Sequence, residues 1–240
     1  SLTDGGILIL NADDEYVVAE AARTDATIWW FSLNPATPQI LDSLNAGTPC
    51  AWLEGTSLVF FDGNAQKSVI DVRDIPLTLN GVARYNISNA LGAISLSRAI
   101  GLKNKAIHRG LAGFQNDLND NPGRCNEFAI NGARVFVDFA HNPHSISAVT
   151  EAMGAIPAKR RFILLGHAGD RSDQDIRDVT KSAFALKPDY VVAAENPIYL
   201  RGREMGEISS LILDECRAQG LQQEQMIVAG TPAEGVTKVI

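Results

Sequence analysis

The stretch Ala133–Val149, which reads ARVFVDFAHNPHSISAV, constrains the fold of this chain most strongly. Residues Arg134–Phe139 are mostly β-branched or aromatic, as is typical of a buried strand. Ala140–Pro143 reads as a tight polar turn, and from Ser145 onward the apolar residues recur at helical spacing. A strand that passes through a short turn into a helix is the repeating unit of a parallel α/β sheet. We therefore expect such a sheet, with ligands bound at the carboxyl ends of its strands.

The order of the predicted elements indicates two α/β domains. Residues 1–121 begin with alternating strands and helices, continue as a three-stranded antiparallel meander and end with two helices, which predicts a mixed sheet. Residues 122–240 alternate regularly, which predicts a Rossmann-like, doubly wound sheet. The boundary lies in the polar, turn-rich segment Gln115–Asn121. The predicted strands of the second domain are Asn126–Ile130, Arg134–Phe139, Arg161–Leu165, Tyr190–Ala194 and Met226–Val228, and its helices are Ser145–Ala155, Gln174–Ala185, Met205–Arg217 and a last one from Thr231.

The overall composition argues against several classes of function. The formal net charge of −7 over 240 residues argues against nucleic acid or an anionic membrane surface as the main partner. No apolar run approaches the roughly 18–20 residues of a membrane span, and no signal peptide is visible. The three cysteines are far apart, as expected for buried side chains in a reducing compartment, so we expect a cytoplasmic protein. Because the chain opens in a strand without a methionine and stops within a predicted helix, we expect a fragment of a longer protein.

The turn after the strand of the opening stretch carries the sharpest chemical signal. Asp138 at a strand end can accept hydrogen bonds from the paired hydroxyls of a ribose, and His141 can donate to a phosphate. The same residues have a simpler explanation, in which Asp138 and Asn142 cap the following helix and His141 lies on the surface. Residue spacing does not decide between a nucleotide site and a helix cap.

Two asparagines in the first domain raise a similar choice. Asn86 and Asn89 lie three residues apart at the start of a predicted helix, so both can present amide groups to one ligand. An amide group both donates and accepts hydrogen bonds, which suits the edge of an adenine. For Asn86, residue type favours a plain N-cap.

Two further loops follow predicted strands of the second domain. Gly166–Arg171 contains glycines that could approach phosphates, but it lacks the GxGxxG spacing, and Ser172 with Asp173 makes an equally good helix N-cap. In the segment Glu195–Arg203, two arginines could clamp a substrate carboxylate, or the segment could be a solvated loop. We expect the polar strand ends of this domain to lie along one edge of one sheet and to form a binding site there.

Several motifs together resemble the Mur ligase superfamily of ATP-dependent acid–amino-acid ligases. The segment DFAHNP resembles the D-x-A-H-N-P motif of the family's C-terminal domain, and NISNAL resembles the N-x-x-N-A-L helix of its central ATPase domain. The resemblance is strongest to the Mur-ligase-like part of cyanophycin synthetases. The segments that carry it are Leu10–Asp14, Phe31–Pro35, Asn86–Leu91, Asn121–Arg124, Asp138–Pro143, Gly169–Asp173 and Arg201–Glu207.

The resemblance implies a reaction and a set of binding residues. ATP would phosphorylate a substrate carboxylate to an acyl phosphate, which the amine of an amino acid attacks to form an amide, with Mg²⁺ neutralising the phosphates. Residues 1–121 would be the C-terminal part of the ATPase domain, and residues 122–240 the C-terminal Rossmann-like domain. By position in the motifs, the ATP-binding residues would be Asn86, Asn89, Arg124, Asp138, His141 and Asn142, and the residues facing the amino acid or the growing chain would be Asp170, Arg171, Asn196, Arg201 and Arg203.

The sequence departs from the family pattern in two respects. It contains no GxxxxGKS or GxxxxGKT segment, and the metal ligands and modified lysine of the family belong to the half that would precede it. We therefore expect no catalytic residue and no metal ligand in this chain, and no activity from it alone. The Asn196–Pro197 pair resembles the muramyl tripeptide ligases instead. A muramyl-peptide ligase, a folylpolyglutamate-type ligase and a non-catalytic nucleotide-binding module remain alternatives.

Overall fold

A computed structural model describes residues 5–240. The chain divides into two compact units, of which the first ends at Asp120 and the second begins at Asn121. Within residues 5–240, no helix is both long enough and apolar enough to cross a membrane. The assignment of the two units to an ATPase domain and a C-terminal domain stays a prediction. Each unit is described by itself below.

The first unit is built on a five-stranded mixed sheet in the order β1-β2-β3-β4-β5. Strands β1 to β3 run parallel, whereas β3, β4 and β5 form the predicted antiparallel meander, which is thereby confirmed. The strands are β1 (Ile7–Asn11), β2 (Thr27–Ser32), β3 (Cys50–Glu54), β4 (Ser57–Phe61) and β5 (Gln66–Asp71), and the helices are α1 (Glu15–Ala21), α2 (Pro38–Ala46), α3 (Arg84–Ala99) and α4 (Asn104–Gly113).

Side-chain alternation along the strands divides the core of this unit between the two faces of the sheet. Leu58 and Phe60 pack in one cluster with Leu91 of α3, while Trp52 and Val59 pack in another with Ile40 of α2. The sheet is therefore covered by helices on both faces.

Helix α3 begins earlier than its sequence predicts, which corrects the expectation that Asn86 is the N-cap. The N-cap is Ala83, and Asn86 lies within the first helical turn. Its side-chain Nδ2 donates to the carbonyl of Leu77 at 2.7 Å, which ties the helix to the short 3-10 turn Pro76–Thr78. Because the backbone N–H of Ala83 also donates to Thr78 at 2.8 Å, the preceding turn sets the start of the helix.

The second unit contains a three-stranded parallel sheet in the order β10-β9-β8 and a separate two-stranded hairpin of β6 and β7. Helices α5, α6 and α7 share one core cluster on one face of the parallel sheet, and α8 packs on the other face through Val239. Val191 and Val192 of β9 point to opposite faces of the sheet, and these helices bury both completely. The strands are β6 (Asn126–Ile130), β7 (Ala133–Val137), β8 (Phe162–Leu165), β9 (Tyr190–Ala194) and β10 (Met226–Ala229), and the helices are α5 (Pro143–Gly154), α6 (Asp173–Ala183), α7 (Glu207–Ala218) and α8 (Pro232–Val239).

The expected class, two α/β units of which the second is Rossmann-like with helices on both faces of its sheet, is confirmed. The placement of β6 and β7 in that sheet is wrong. Within residues 5–240, β7 pairs with β6 in an antiparallel ladder and with no strand of the parallel sheet. The reason is the turn Asn131–Gly132, where both residues have positive φ (49° and 80°), the backbone that a tight two-residue hairpin requires.

Candidate functional site

The segment after β7 is held in shape by its own polar side chains. Asp138 Oδ1 accepts a hydrogen bond from the backbone N–H of Ala140 at 2.7 Å. Asn142 is the N-cap of α5, since its Oδ1 accepts from the backbone N–H of Ser145 at 2.9 Å, within a reciprocal capping box. The cap explanation therefore holds for Asn142, whereas Asp138 closes the turn before the helix.

Arg124 lies beside this segment because the backbone joins the two. The N–H of Phe139 donates to the carbonyl of Gly123 at 2.9 Å, which brings the turn before β6 against the end of β7. The Arg124 guanidinium then lies over the Phe139 ring, 5.9 Å from its centroid, and the His141 ring is 5.3 Å from the same centroid. We call the group of Arg124, Asp138, Phe139 and His141 the β7-end patch.

Phe139 is a member of this patch that sequence reasoning assigned to the strand. Its side chain is 66% exposed, although a large aromatic residue is usually buried. An exposed ring with a guanidinium over one face can stack on a planar ligand. Its position directly after Asp138 in the motif was the signal in the sequence that could have identified it as a site residue.

His167, in the loop after β8, is a second residue that sequence reasoning did not single out. Its Nε2 atom is buried and has no hydrogen-bond partner among the described residues. Burial, followed by the charges of Arg171 and His141, lowers the pKa of His167 to about 4. The strands that these two histidines follow, β7 and β8, belong to different sheets. The expectation that the polar strand ends lie along one edge of one sheet is therefore wrong for the end of β7.

The glycines of the loop after β8 serve close approach of two backbones. A Cβ atom on Gly169 would lie 1.8 Å from the carbonyl oxygen of Leu200, and one on Gly166 would lie 2.6 Å from that of Ala194. The N–H of Gly169 donates to the carbonyl of Tyr199 at 2.8 Å. The two loops that follow β8 and β9 are thus in direct contact.

Arg203 fastens the same two loops together. Its side chain is only 18% exposed and donates to the carbonyls of Gly169 (3.0 Å) and Arg171 (2.8 Å) and to Asp173 Oδ1 (2.7 Å). A guanidinium with this many protein acceptors positions the loop and has few donors left for a substrate.

Arg201 and Asp170 form a half-exposed ion pair between these loops. The hydrogen bond from Arg201 is the main cause that lowers the pKa of Asp170. Exposed ion pairs contribute little to stability, so this pair can open to admit a ligand. Two predicted substrate residues remain. Arg171 accepts from Arg203 through its backbone carbonyl, and Asn196 accepts from the N–H of Ile198 at 3.2 Å and caps a short 3-10 turn.

Glu195 is a third residue whose role the sequence did not reveal. The residue is buried, with 2% of its surface exposed. Its carboxylate accepts hydrogen bonds from the backbone N–H groups of Gly206 and Ser209, both at 2.7 Å. These donors belong to the start of α7, where a negative charge is favourable. Glu195 therefore fixes both ends of the loop that carries Arg201 and Arg203.

In the first unit, the structure brings Asn86 and Asn89 together on α3. The Nδ2 of Asn89 donates to Oδ1 of Asn86 at 3.2 Å, and Asn86 donates in turn to Leu77. Asn89 is exposed at the surface of the helix. The two amides form one chain of hydrogen bonds with Asn89 at its exposed end.

The chain matches the family described as "Mur ligase, glutamate ligase domain" over residues 123–240. It is 32% identical over 212 residues to the cyanophycin synthetase of Trichormus variabilis, which covers 88% of this chain and 23% of that protein. It is 27% identical over 237 residues to the UDP-N-acetylmuramoyl-L-alanyl-D-glutamate--2,6-diaminopimelate ligase of Geobacter metallireducens, covering 96% of this chain and 42% of that protein. The chain thus spans about a quarter of the length of the cyanophycin synthetases that it matches.

A solved structure supports the same fold. Folylpolyglutamate synthase of Mycobacterium tuberculosis, complexed with ADP, superposes with a TM-score of 0.63 at 18% identity. The superposition covers 93% of this chain and 44% of the other. It confirms the α/β architecture of the chain.

Proposed function

Since this chain belongs to the Mur ligase superfamily, we propose that it is part of an ATP-dependent ligase that joins an amino acid to a carboxylate through an amide bond. The observation that carries the proposal is the β7-end patch, in which Arg124 and the DFAHNP motif come together at one exposed surface. A relative with 32% identity over 88% of the chain supports it.

ATP is the proposed ligand of the β7-end patch. Because Oδ1 of Asp138 is engaged by Ala140, its Oδ2 is the atom that would accept from the ribose hydroxyls. Arg124, His141 and Asn142 would lie beside the nucleotide. Asn86 and Asn89 would contact the adenine edge through the exposed end of their hydrogen-bonded chain.

The proposed reaction has two balanced steps. A carboxylate oxygen attacks the γ-phosphorus of ATP and ADP leaves, which gives an acyl phosphate. The nitrogen of the incoming amino acid then attacks the acyl carbon, loses a proton, and inorganic phosphate leaves with the electron pair of the broken C–O bond. Mg²⁺, when bound, neutralises the phosphate charges.

We assign no residue of this chain to that metal ion. Among residues 5–240, no group of three or more His, Cys, Asp or Glu side chains is arranged to hold a metal. The Mg²⁺ ligands and the cradle of the β- and γ-phosphates are proposed to lie in the remainder of a longer protein. The isolated chain is accordingly proposed to be inactive.

The incoming amino acid would bind at the paired loops after β8 and β9. When the Arg201–Asp170 pair opens, its guanidinium can bind the carboxylate of an amino acid and its carboxylate can bind the ammonium. Arg203 would hold the loop, with Arg171 and Asn196 at its margin. A cyanophycin-synthetase-like amino-acid ligase is our first choice.

A muramyl-peptide ligase is the second candidate. The Asn196–Pro197 pair and the Geobacter relative, which matches 96% of the chain, favour it. Turnover assays of the full-length protein with aspartate, arginine, glutamate and diaminopimelate as acceptors separate the two. Addition of glutamate to the carboxylate of a folate would instead favour a folylpolyglutamate-type ligase, and the absence of turnover with every substrate would favour a non-catalytic nucleotide-binding module.

Calorimetry of ATP binding to the full-length protein tests the nucleotide site directly. We expect Asp138→Ala to weaken ATP binding about tenfold or more, since hydrogen bonds to a charged group contribute roughly 1.5–3 kcal/mol. Asp25→Ala, which removes an exposed carboxylate of the first unit, is the control for charge. Equal ATP affinities for Asp138→Ala and the parent would remove Asp138 as a ribose ligand.

A further inference from the structure

A separate polar pocket lies in the first unit, between the β4–β5 hairpin and the connection from α3 to α4. Its volume is about 280 Å³. Arg98 lies nine residues after Asn89 on α3, which corresponds to about 13 Å along the helix axis. The pocket is therefore distinct from the proposed adenine contact. It is lined by Phe60, Asp62, Lys67, Arg98, Lys103 and Asn104.

The pocket concentrates positive charge on a chain whose net charge is −7. Lys67, Arg98 and Lys103 line it, and in the part of the chain that the structure describes none of them forms an ion pair within 4 Å. The one carboxylate of the lining, Asp62, accepts from the backbone N–H groups of the hairpin turn at 2.9 and 3.1 Å. Those hydrogen bonds are the main cause that lowers the pKa of Asp62, and the two cations Lys67 and Arg98 contribute less. Three cations thus face one carboxylate that is already engaged.

Arg98 is held in place but keeps a buried donor without a partner. Its guanidinium lies 5.2 Å over the Phe60 ring, and Nη1 donates to the carbonyl of Leu102 at 3.0 Å. Its Nε atom is buried and has no hydrogen-bond partner among residues 5–240. A buried donor of a charged group is costly unless something accepts from it, so this atom points to an acceptor outside the described residues.

The start of α4 adds further donors at the same place. Its N-cap residue is Lys103, and the first turn of this ten-residue helix receives no side-chain cap. The unpaired N–H groups of a helix start carry partial positive charge and attract anions.

We propose that this pocket binds a small oxyanion of about two negative charges, such as a phosphate monoester or a dicarboxylate. Arg98 Nε and the ammonium groups of Lys67 and Lys103 would contact the anion, with the start of α4 beneath it. A volume of about 280 Å³ lies just below the usual range for ligand pockets, which restricts the occupant to a single small metabolite. The proposal does not depend on the ligase reaction.

Calorimetry on the 240-residue chain tests this site with inorganic phosphate and succinate as probes. Sodium chloride keeps the ionic strength constant, so that screening does not change between titrations. We expect saturable binding of at least one probe, and the probe with the higher affinity identifies phosphate or carboxylate as the preferred chemistry. Lys103→Gln and Arg98→Gln are each expected to weaken binding about tenfold or more.

Two controls keep the test decisive. Lys105→Gln removes an exposed cation of α4 that does not line the pocket, and its affinity should equal that of the parent. Lys103 is exposed, so Lys103→Gln tests the site even if Arg98→Gln lowers the thermal midpoint of unfolding. Asp138→Ala should leave binding of the probe unchanged, which separates this site from the ATP site. No saturation by either probe, or equal weakening by Lys105→Gln, would overturn the proposal.

Discussion

Close contacts between backbone atoms determine the shape of the loops after β8 and β9. Sequence reasoning left open whether Gly166 and Gly169 approach phosphates, and the structure places each against a carbonyl oxygen of the chain. The residue types had identified a glycine-bearing loop correctly. Which surface those glycines approach depends on a loop about 30 residues further on, and local sequence does not contain that information.

We expect Gly169→Ala to lower the free energy of unfolding of the second unit by about 2 kcal/mol or more, because its Cβ would overlap the carbonyl of Leu200. Urea denaturation followed by circular dichroism measures the change. Gly154→Ala is the matched control, since a Cβ there meets nothing within 4 Å and alanine favours the helix. Equal denaturation midpoints for the two variants would contradict the close approach.

Acidification should destabilise the fold through His167. Its pKa is about 4 when folded and near 6.5 in the unfolded chain, so the unfolded state binds a proton first as the pH falls. Stability is thus retained above pH 6.5 and lost progressively toward pH 4, by up to about 3 kcal/mol. Urea denaturation between pH 8 and pH 4 measures this slope.

The control for that experiment is an exposed histidine. His167→Gln should remove most of the slope that this residue causes, whereas His144→Gln, at an exposed position of α5, should keep it. An unchanged pH dependence in His167→Gln would mean that His167 is not buried in its neutral form.

At the scale of secondary-structure elements, the spacing of apolar residues and the positions of turn residues predicted most helices and strands. Contacts with neighbouring turns shifted the ends of these elements. The two clearest differences have local physical causes. The Asn131–Gly132 pair is a strong hairpin signal that was present in the sequence, and it explains why β7 pairs with β6. The early start of α3 was not readable, because it follows from a hydrogen bond between Asn86 and Leu77.

One substitution separates the two explanations of the turn before α5. Asn142→Asp keeps an N-cap acceptor, so we expect the free energy of unfolding to change by less than about 0.5 kcal/mol. If Asn142 also lies beside the nucleotide, the added negative charge should weaken ATP binding several-fold in the full-length protein. Denaturation and calorimetry on the same variant provide both numbers. Unchanged ATP affinity would leave Asn142 as a helix cap alone.

For the whole molecule, the motifs predicted the family and the α/β class because each is a short continuous segment whose residues are close together in the sequence. The residues that complete the candidate site, Phe139, His167 and Glu195, were not predicted as members. Their roles depend on burial and on contacts between distant segments. The expectation that the cysteines are buried is correct for all three.

These cysteines provide a separate readout for each unit. Burial raises the pKa of Cys50 to about 12 and that of Cys216 to about 11, so little thiolate is present at neutral pH. We expect both thiols to resist N-ethylmaleimide in native buffer and to react as the unit that contains each one opens in denaturant. Mass spectrometry of quenched samples identifies the labelled cysteine. Rapid labelling of either thiol without denaturant would contradict its burial.

The isolation of the β6–β7 hairpin has a consequence for affinity. A two-stranded hairpin is marginally stable alone, and Ile130, Val137 and Phe139 of this region remain exposed. The measured affinity of a ligand at the end of β7 is therefore lowered by the free energy needed to restrict any remaining motion of this hairpin. A second protein surface that covered these apolar side chains would restrict the hairpin before the ligand binds. The ligand would then bind more tightly, although the covering surface does not contact it.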